Sequence, residues 1–141
     1  MLDKERVMSK VAELDSYLGE LKQVSPATFD EYETVEKKRS CERLLQLCIE
    51  CVIDVCKVIV SGLKLGLPSD ENDLFKKLHA RKIVSEEMTK TLRGMKGFRN
   101  ILIHEYAAVD DELVYSYIKT NINDFEEFKS QILAAISSQR R

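Results

Sequence analysis

The sequence predicts an all-α protein, an up-and-down helical bundle with short accessory helices. Three observations carry that prediction. Only 5 Gly and 2 Pro occur in 141 residues, too few for the tight turns of a sandwich or barrel. Leu, Glu and Lys, all good helix formers, are abundant. Apolar residues recur at steps of three and four over most of the chain, the period of a helix with one buried face. With hydrophobic residues at 44% the chain can bury a core of its own, as a single domain over residues 1–141.

The first helix reads from Asp3 to about Val24, where Val7, Val11, Leu14, Leu18 and Leu21 form one apolar seam. Ser25-Pro26 interrupts it, with Ser25 read as an N-cap and Pro26 as the first helical position of the next element. That element is either one helix or a short piece running into a longer one ending near Gly62. From Leu44 to Val60 its polar residues Arg43, Gln46, Glu50, Asp54 and Lys57 fall on one narrow stripe of an otherwise apolar cylinder, as expected of a helix in the middle of a bundle. Gly62 to Asp73, with Gly66 and Pro68-Ser69, reads as the longest loop, and a short helix covers about Asn72 to Ala80. Ser85 before Glu86-Glu87 caps a helix that runs to Tyr106. Val109-Asp110 restarts the chain for a helix through Val114 to Ile118. Asn123 with Glu126 three residues later opens the last helix at capping-box spacing.

Charge and apolar runs narrow the function classes. The net charge is −2, which excludes a broadly basic nucleic-acid binder, so an RNA substrate would have to meet a local basic site. The N-terminus is charged from its third residue and the most apolar stretch is broken by Gln46, Glu50, Asp54 and Lys57, which points to a cytoplasmic protein with no membrane span. Cys41, Cys48, Cys51 and Cys56 share one helix, where relaxed disulfides form poorly, and this suits a reducing compartment. Cys48-x-x-Cys51 has no second pair at zinc-ribbon spacing and reads as buried structural thiols, so no metal or cofactor is expected.

The helix from Thr89 to Tyr106 carries the chemistry. At 100° per residue Met88, Leu92, Met95, Phe98 and Leu102 form one apolar arc, from within which Arg99 and Tyr106 project. A guanidinium cannot shed its charge, so it must meet a carboxylate, a phosphate or several acceptors there. Residue chemistry alone leaves two readings open: a structural cation, snorkelling or paired with Asp54 or Glu50, or a phosphate ligand. Lys96, Asn100 and His104, at steps of four, make a separate polar ridge flanked by Arg93. Ile101 and Ile103 make the remaining sides apolar, which suggests that a second protein surface covers this region. His79, among Lys76, Lys77, Arg81 and Lys82, reads as an exposed basic turn that could extend an RNA track.

Phe98-Arg99-Asn100-Ile101-Leu102-Ile103-His104-Glu105-Tyr106 resembles the R-N-x-x-x-H-x-Y signature of the HepT-like family in the HEPN superfamily. The resemblance runs from about Arg39 through Phe128 and includes Asp54, the Gly-Leu-Pro loop at 66–68, and Asp124-Phe125 with Phe128. It implies a HEPN-type bundle and a metal-independent endoribonuclease toxin. It also implies a minimal nucleotidyltransferase antitoxin of the MntA type that places AMP on the motif tyrosine, here Tyr106.

Chemistry agrees with the assignment. Cleaving RNA through its own 2′-hydroxyl needs a proton acceptor, a proton donor for the leaving oxygen, and positive charge on the phosphorane. Each chain offers one imidazole in this constellation, His104, and one imidazole cannot do both tasks in one step. A homodimer would supply the second. In this reading Arg99 clamps the phosphate, Asn100 orients His104 or binds phosphate, Lys96 adds charge, and Asp54 supports Arg99. A five-residue step sets Arg99 and His104 about 140° apart on a straight helix. They converge through the reach of arginine, through unwinding near His104, or from opposite subunits. The alternative from another class is a non-catalytic nucleotide-binding accessory subunit of a minimal nucleotidyltransferase, with Arg99 and Lys96 on phosphates. A third reading is a purely structural dimeric bundle.

Overall fold

The computed structural model describes residues 2–104 and 109–138. Among the described residues seven helices occur in order: α1 Lys4–Val24, α2 Phe29–Tyr32, α3 Val35–Gly62, α4 Glu71–Ala80, α5 Glu86–His104, α6 Asp111–Thr120 and α7 Asn123–Ser138. The protein is all-α, as its composition and periodicity foretold.

Helix α1 buries Val7, Val11, Leu14, Leu18 and Leu21, the seam read from spacing, and Asp3 caps it by accepting from the Arg6 amide at 3.0 Å. It lies antiparallel along α3. Lys10 Nζ sits 3.7 Å from Asp54 Oδ2, Lys37 Nζ donates to the Val24 carbonyl at 3.1 Å, and Leu2 lies against Gly62. A Cβ at Gly62 would stand 3.1 Å from Leu2 Cα, so the glycine permits this close approach.

Helix α3 is the centre of the bundle. It buries residues on nearly every side, from Cys41 through Val60, and packs on α1, α2, α4 and α5. Its stripe of Gln46, Glu50 and Asp54 is half-buried rather than freely solvated. Helix α4 runs antiparallel to α5, because Glu71 at its start meets Arg99 while His79 and Ala80 at its end lie beside Glu86 and Thr89. Helix α7 ties the bundle together through Phe125, Phe128 and Ile132, all fully buried, through Lys129 paired with Asp15, and through Gln131 accepting from the Ser85 amide at 2.9 Å.

Two local expectations need correction, and one open choice is resolved. Ser25 is not an N-cap but the residue that ends α1; the cap of the next helix is Thr28, whose hydroxyl accepts from the Glu31 amide at 3.2 Å while Glu31 accepts from the Ala27 amide at 3.0 Å. Thr28 and Glu31 together satisfy two amides, which one serine before proline cannot do. The open choice after residue 26 resolves as a short helix followed by a long one. At α7 Asn123 is already helical, and Glu126 faces Lys22 at 3.7 Å and Lys129 at 2.9 Å instead of closing a capping box.

All four cysteines are buried and free. Burial pushes the Cys48 thiol up to about 12 and the Cys51 thiol up to about 11, which keeps both protonated and poor as ligands. No helix among the described residues is long and apolar enough to cross a membrane.

Candidate active site

Helix α5 is set firmly at its start. Ser85 Oγ accepts from the Met88 amide at 3.0 Å and Thr89 Oγ1 donates back to the Ser85 carbonyl at 3.0 Å. Met88, Leu92, Met95, Phe98 and Leu102 are buried along one arc, and Phe98 stacks on Tyr117 with ring centroids 4.4 Å apart. That packing fixes the rotation of the helix and therefore where each polar residue points.

Arg99 leaves the arc toward α4. Its side chain is 14% exposed and donates from Nη2 to Glu71 Oε1 at 2.5 Å and from Nε to Asn100 Oδ1 at 3.0 Å. Two of its five N–H groups are thus anchored, and among the described residues no acceptor meets the Nη1 edge. Glu71 stands in the first turn of α4, where Asp70 accepts from the Asp73 amide at 2.7 Å and Asp73 from the Ser69 amide at 2.9 Å. An acid in a helix's first turn suits the dipole, so by sequence it looks like ordinary capping. No local signal ties it to Arg99, 28 positions further on; the antiparallel packing of α4 on α5 does that.

Asp54 is not the partner of Arg99. It pairs with Lys10 across the α1–α3 seam, and Glu50 accepts from Gln46 Nε2 at 3.1 Å. Asn100 Oδ1 accepts from Arg99 Nε, and among the described residues no hydrogen bond joins Asn100 to His104. Lys96 is half-buried on the ridge that also carries Asn100 and His104, and among the described residues it forms no ion pair.

His104 is exposed and closes α5, still in α-helical conformation. Among the described residues α5 is therefore not unwound between Arg99 and His104, and the residues that follow lie outside the described ones. The other two routes are the length of the arginine side chain and a second subunit. Ile101 and Ile103, on either side of His104 around the helix, are only half-buried. Tyr106 lies outside the described residues.

The fold and the site define a class: an all-helical bundle that carries an anchored guanidinium and an exposed imidazole on one turn-and-a-half of a single helix. The family described as ribonuclease HepT-like matches residues 14–132, and this chain belongs to that family. It is 32% identical to a tRNA nuclease HepT of Aphanizomenon flos-aquae over 117 residues, 82% of this chain and 80% of that one. It is 31% identical to an mRNA nuclease HepT of Shewanella oneidensis over 90 residues, 64% of this chain and 68% of that one. The structure of a tri-AMPylated Shewanella oneidensis HEPN toxin in complex with its MNT antitoxin matches with a TM-score of 0.84 at 26% identity, over 91% of this chain and 96% of that one.

Proposed function

We propose that this chain is the toxin of a toxin–antitoxin pair and a metal-independent endoribonuclease, acting as a single-domain homodimer in the cytoplasm. The observation that carries the reading is the presentation of Arg99 and His104. The guanidinium is held by Glu71 and Asn100, with no acceptor among the described residues on its Nη1 edge, and the imidazole stands exposed one and a half turns further on. The family match and the nuclease relatives support it.

In the reaction, His104 of one subunit takes the 2′-hydroxyl proton as the 2′-oxygen attacks phosphorus. A second copy's His104 gives a proton to the departing 5′-oxygen, leaving a 2′,3′-cyclic phosphate and a 5′-hydroxyl. Arg99 offers its Nη1 edge to the phosphorane, whose extra charge is worth most in a site shielded from water. The half-buried Ile101 and Ile103 beside His104 support a second subunit at this end of α5, since apolar side chains next to a reacting group gain by being covered.

A minimal nucleotidyltransferase of the MntA type is the proposed antitoxin, with Tyr106 as the hydroxyl that receives AMP. The added phosphate would bring negative charge to a residue seven positions beyond Arg99 and block the substrate by bulk and repulsion.

Expression should arrest growth, and the purified protein should cleave RNA without added metal. His104→Ala and Arg99→Ala should each abolish both effects with circular dichroism unchanged. Undiminished cleavage by both variants would refute the assignment. Nucleotide binding with no cleavage by the wild type would favour the accessory-subunit reading instead.

A further inference from the structure

The ribonuclease reading leaves open what holds the RNA strand on either side of the reacting phosphate. Residues 76–96 contain seven Lys or Arg and two Glu, a net charge of +5 inside a chain whose total is −2. Three of these cations share one groove. Lys76, His79 and Ala80 of α4 and Glu86, Thr89, Lys90 and Arg93 of α5 enclose a volume of about 210 Å³.

Three features set this groove apart from an ordinary solvated face. First, Lys76, Lys90, Arg93 and Lys96 form no ion pair with any described carboxylate, although Glu86 lies in the same groove. Lys10, Lys22, Lys38, Arg39, Lys77, Arg99 and Lys129 are each paired, while Lys4, Arg6, Lys37, Arg43, Lys57, Lys64, Arg81, Lys82 and Lys119 are unpaired among the described residues but dispersed, so it is the gathering of unpaired cations on neighbouring turns of α4 and α5 that marks this groove. Like charges gathered without counter-charges cost stability and call for an anion. Second, the groove is in line with His104, while Arg99 stands about 120° from Arg93 around α5. At 100° per residue Arg93, Lys96, Asn100 and His104 fall within about 80° of one another, and Lys90 about 40° beyond. Third, the spacing suits a strand. Arg93 lies about 16 Å and Lys90 about 21 Å from His104 along the helix axis, several nucleotides from the scissile bond. His79 adds a polar wall, its Nδ1–H given to the Val84 carbonyl at 3.1 Å so that Nε2 is the ring's remaining polar atom.

We propose that the α4–α5 groove is a phosphodiester track in which Lys76, Lys90 and Arg93 hold the RNA backbone leading to His104. It rests on the ribonuclease reading and adds to it a binding site outside the motif. The contacts are to phosphates, so the track carries affinity without sequence preference.

The test uses the full-length His104→Ala protein and a labelled oligouridylate of about 15 nucleotides. On single strands each neutralised phosphate contributes about 0.7 to the slope of log affinity against log salt. Lys90→Gln with Arg93→Gln should therefore lower that slope by about 1.4, weakening binding about 60-fold at 50 mM salt and about 10-fold at 200 mM. Arg93→Lys should restore half of the lost slope in the Lys90→Gln background. Lys4→Gln with Arg6→Gln, on α1, should change neither. In the otherwise wild-type enzyme Lys90→Gln with Arg93→Gln should raise KM at least 10-fold and leave kcat within twofold. An unchanged slope with cleavage intact overturns the track alone, as does a variant that binds RNA normally but no longer co-purifies with its nucleotidyltransferase. A wild type that neither binds nor cleaves RNA overturns the ribonuclease reading as well.

Discussion

The contact between Arg99 and Glu71 yields the sharpest quantitative prediction. The two residues meet at 2.5 Å, with side chains 14% and 27% exposed, between the fully solvated pairs that contribute under about 1 kcal/mol and the buried ones whose breakage costs about 3–5 kcal/mol. The two partners are not equivalent. Glu71 sits in the first turn of α4, where the helix dipole supports its charge without the arginine. Arg99 lies within an apolar arc and, among the described residues, keeps only Asn100 once the carboxylate is gone. Glu71→Gln should therefore cost about 2 kcal/mol, and Arg99→Met about 1 kcal/mol or less. The double variant should cost no more than Arg99→Met, giving a coupling of about 2 kcal/mol. Urea unfolding of the four proteins followed by circular dichroism measures it. A coupling under about 0.3 kcal/mol, within ordinary additivity error, would refute the claim that Glu71 fixes the guanidinium.

Other consequences arise from the same packing. Glu71→Gln should also lower kcat for RNA cleavage about 10-fold, since a loosened guanidinium stabilises the phosphorane less well; single-turnover cleavage checks it. Ile103→Asp should leave helicity intact yet produce an inactive monomer by analytical ultracentrifugation, and an active dimer would remove the shared site. Thr28→Ala should destabilise the protein by about 1 kcal/mol through loss of the cap on α2, read as a shift in the urea midpoint. The Cys48 thiol, pushed up to about 12 by burial, favours the folded state's protonated form. Its contribution is complete below the unfolded thiol's value near 9, and above that stability falls by about 1.4 kcal/mol per pH unit until the folded thiol itself ionises. Cys48→Ala should flatten that alkaline decline in thermal melts between pH 9 and 11.

Much of the site was legible in the chain because its signals are local. The alternation along α1, the apolar arc of α5 and the cap at Ser85 depend on residues within one or two turns, and helix geometry converts such spacing directly into faces. The motif at 99–104 is local in the same sense, so the cation and the imidazole were visible together. Ser25 was misread because a serine before proline and a Thr28–Glu31 pair both announce a helix start. Only the number of amides each can satisfy separates them.

The amino-acid order by itself determined the helices, the buried face of each, the thiols' inert setting and the pair of groups suited to RNA cleavage. Tertiary structure decided which carboxylate meets Arg99. Asp54, Glu50 and Glu71 are equally acidic on paper, but α1 claims Asp54 through Lys10 and the antiparallel approach of α4 delivers Glu71. It also decided that two lysines and an arginine scattered over two helices line one groove. Charge pairing falls off over a few ångströms while sequence separation carries no distance, so such neighbours exist only once the helices have packed.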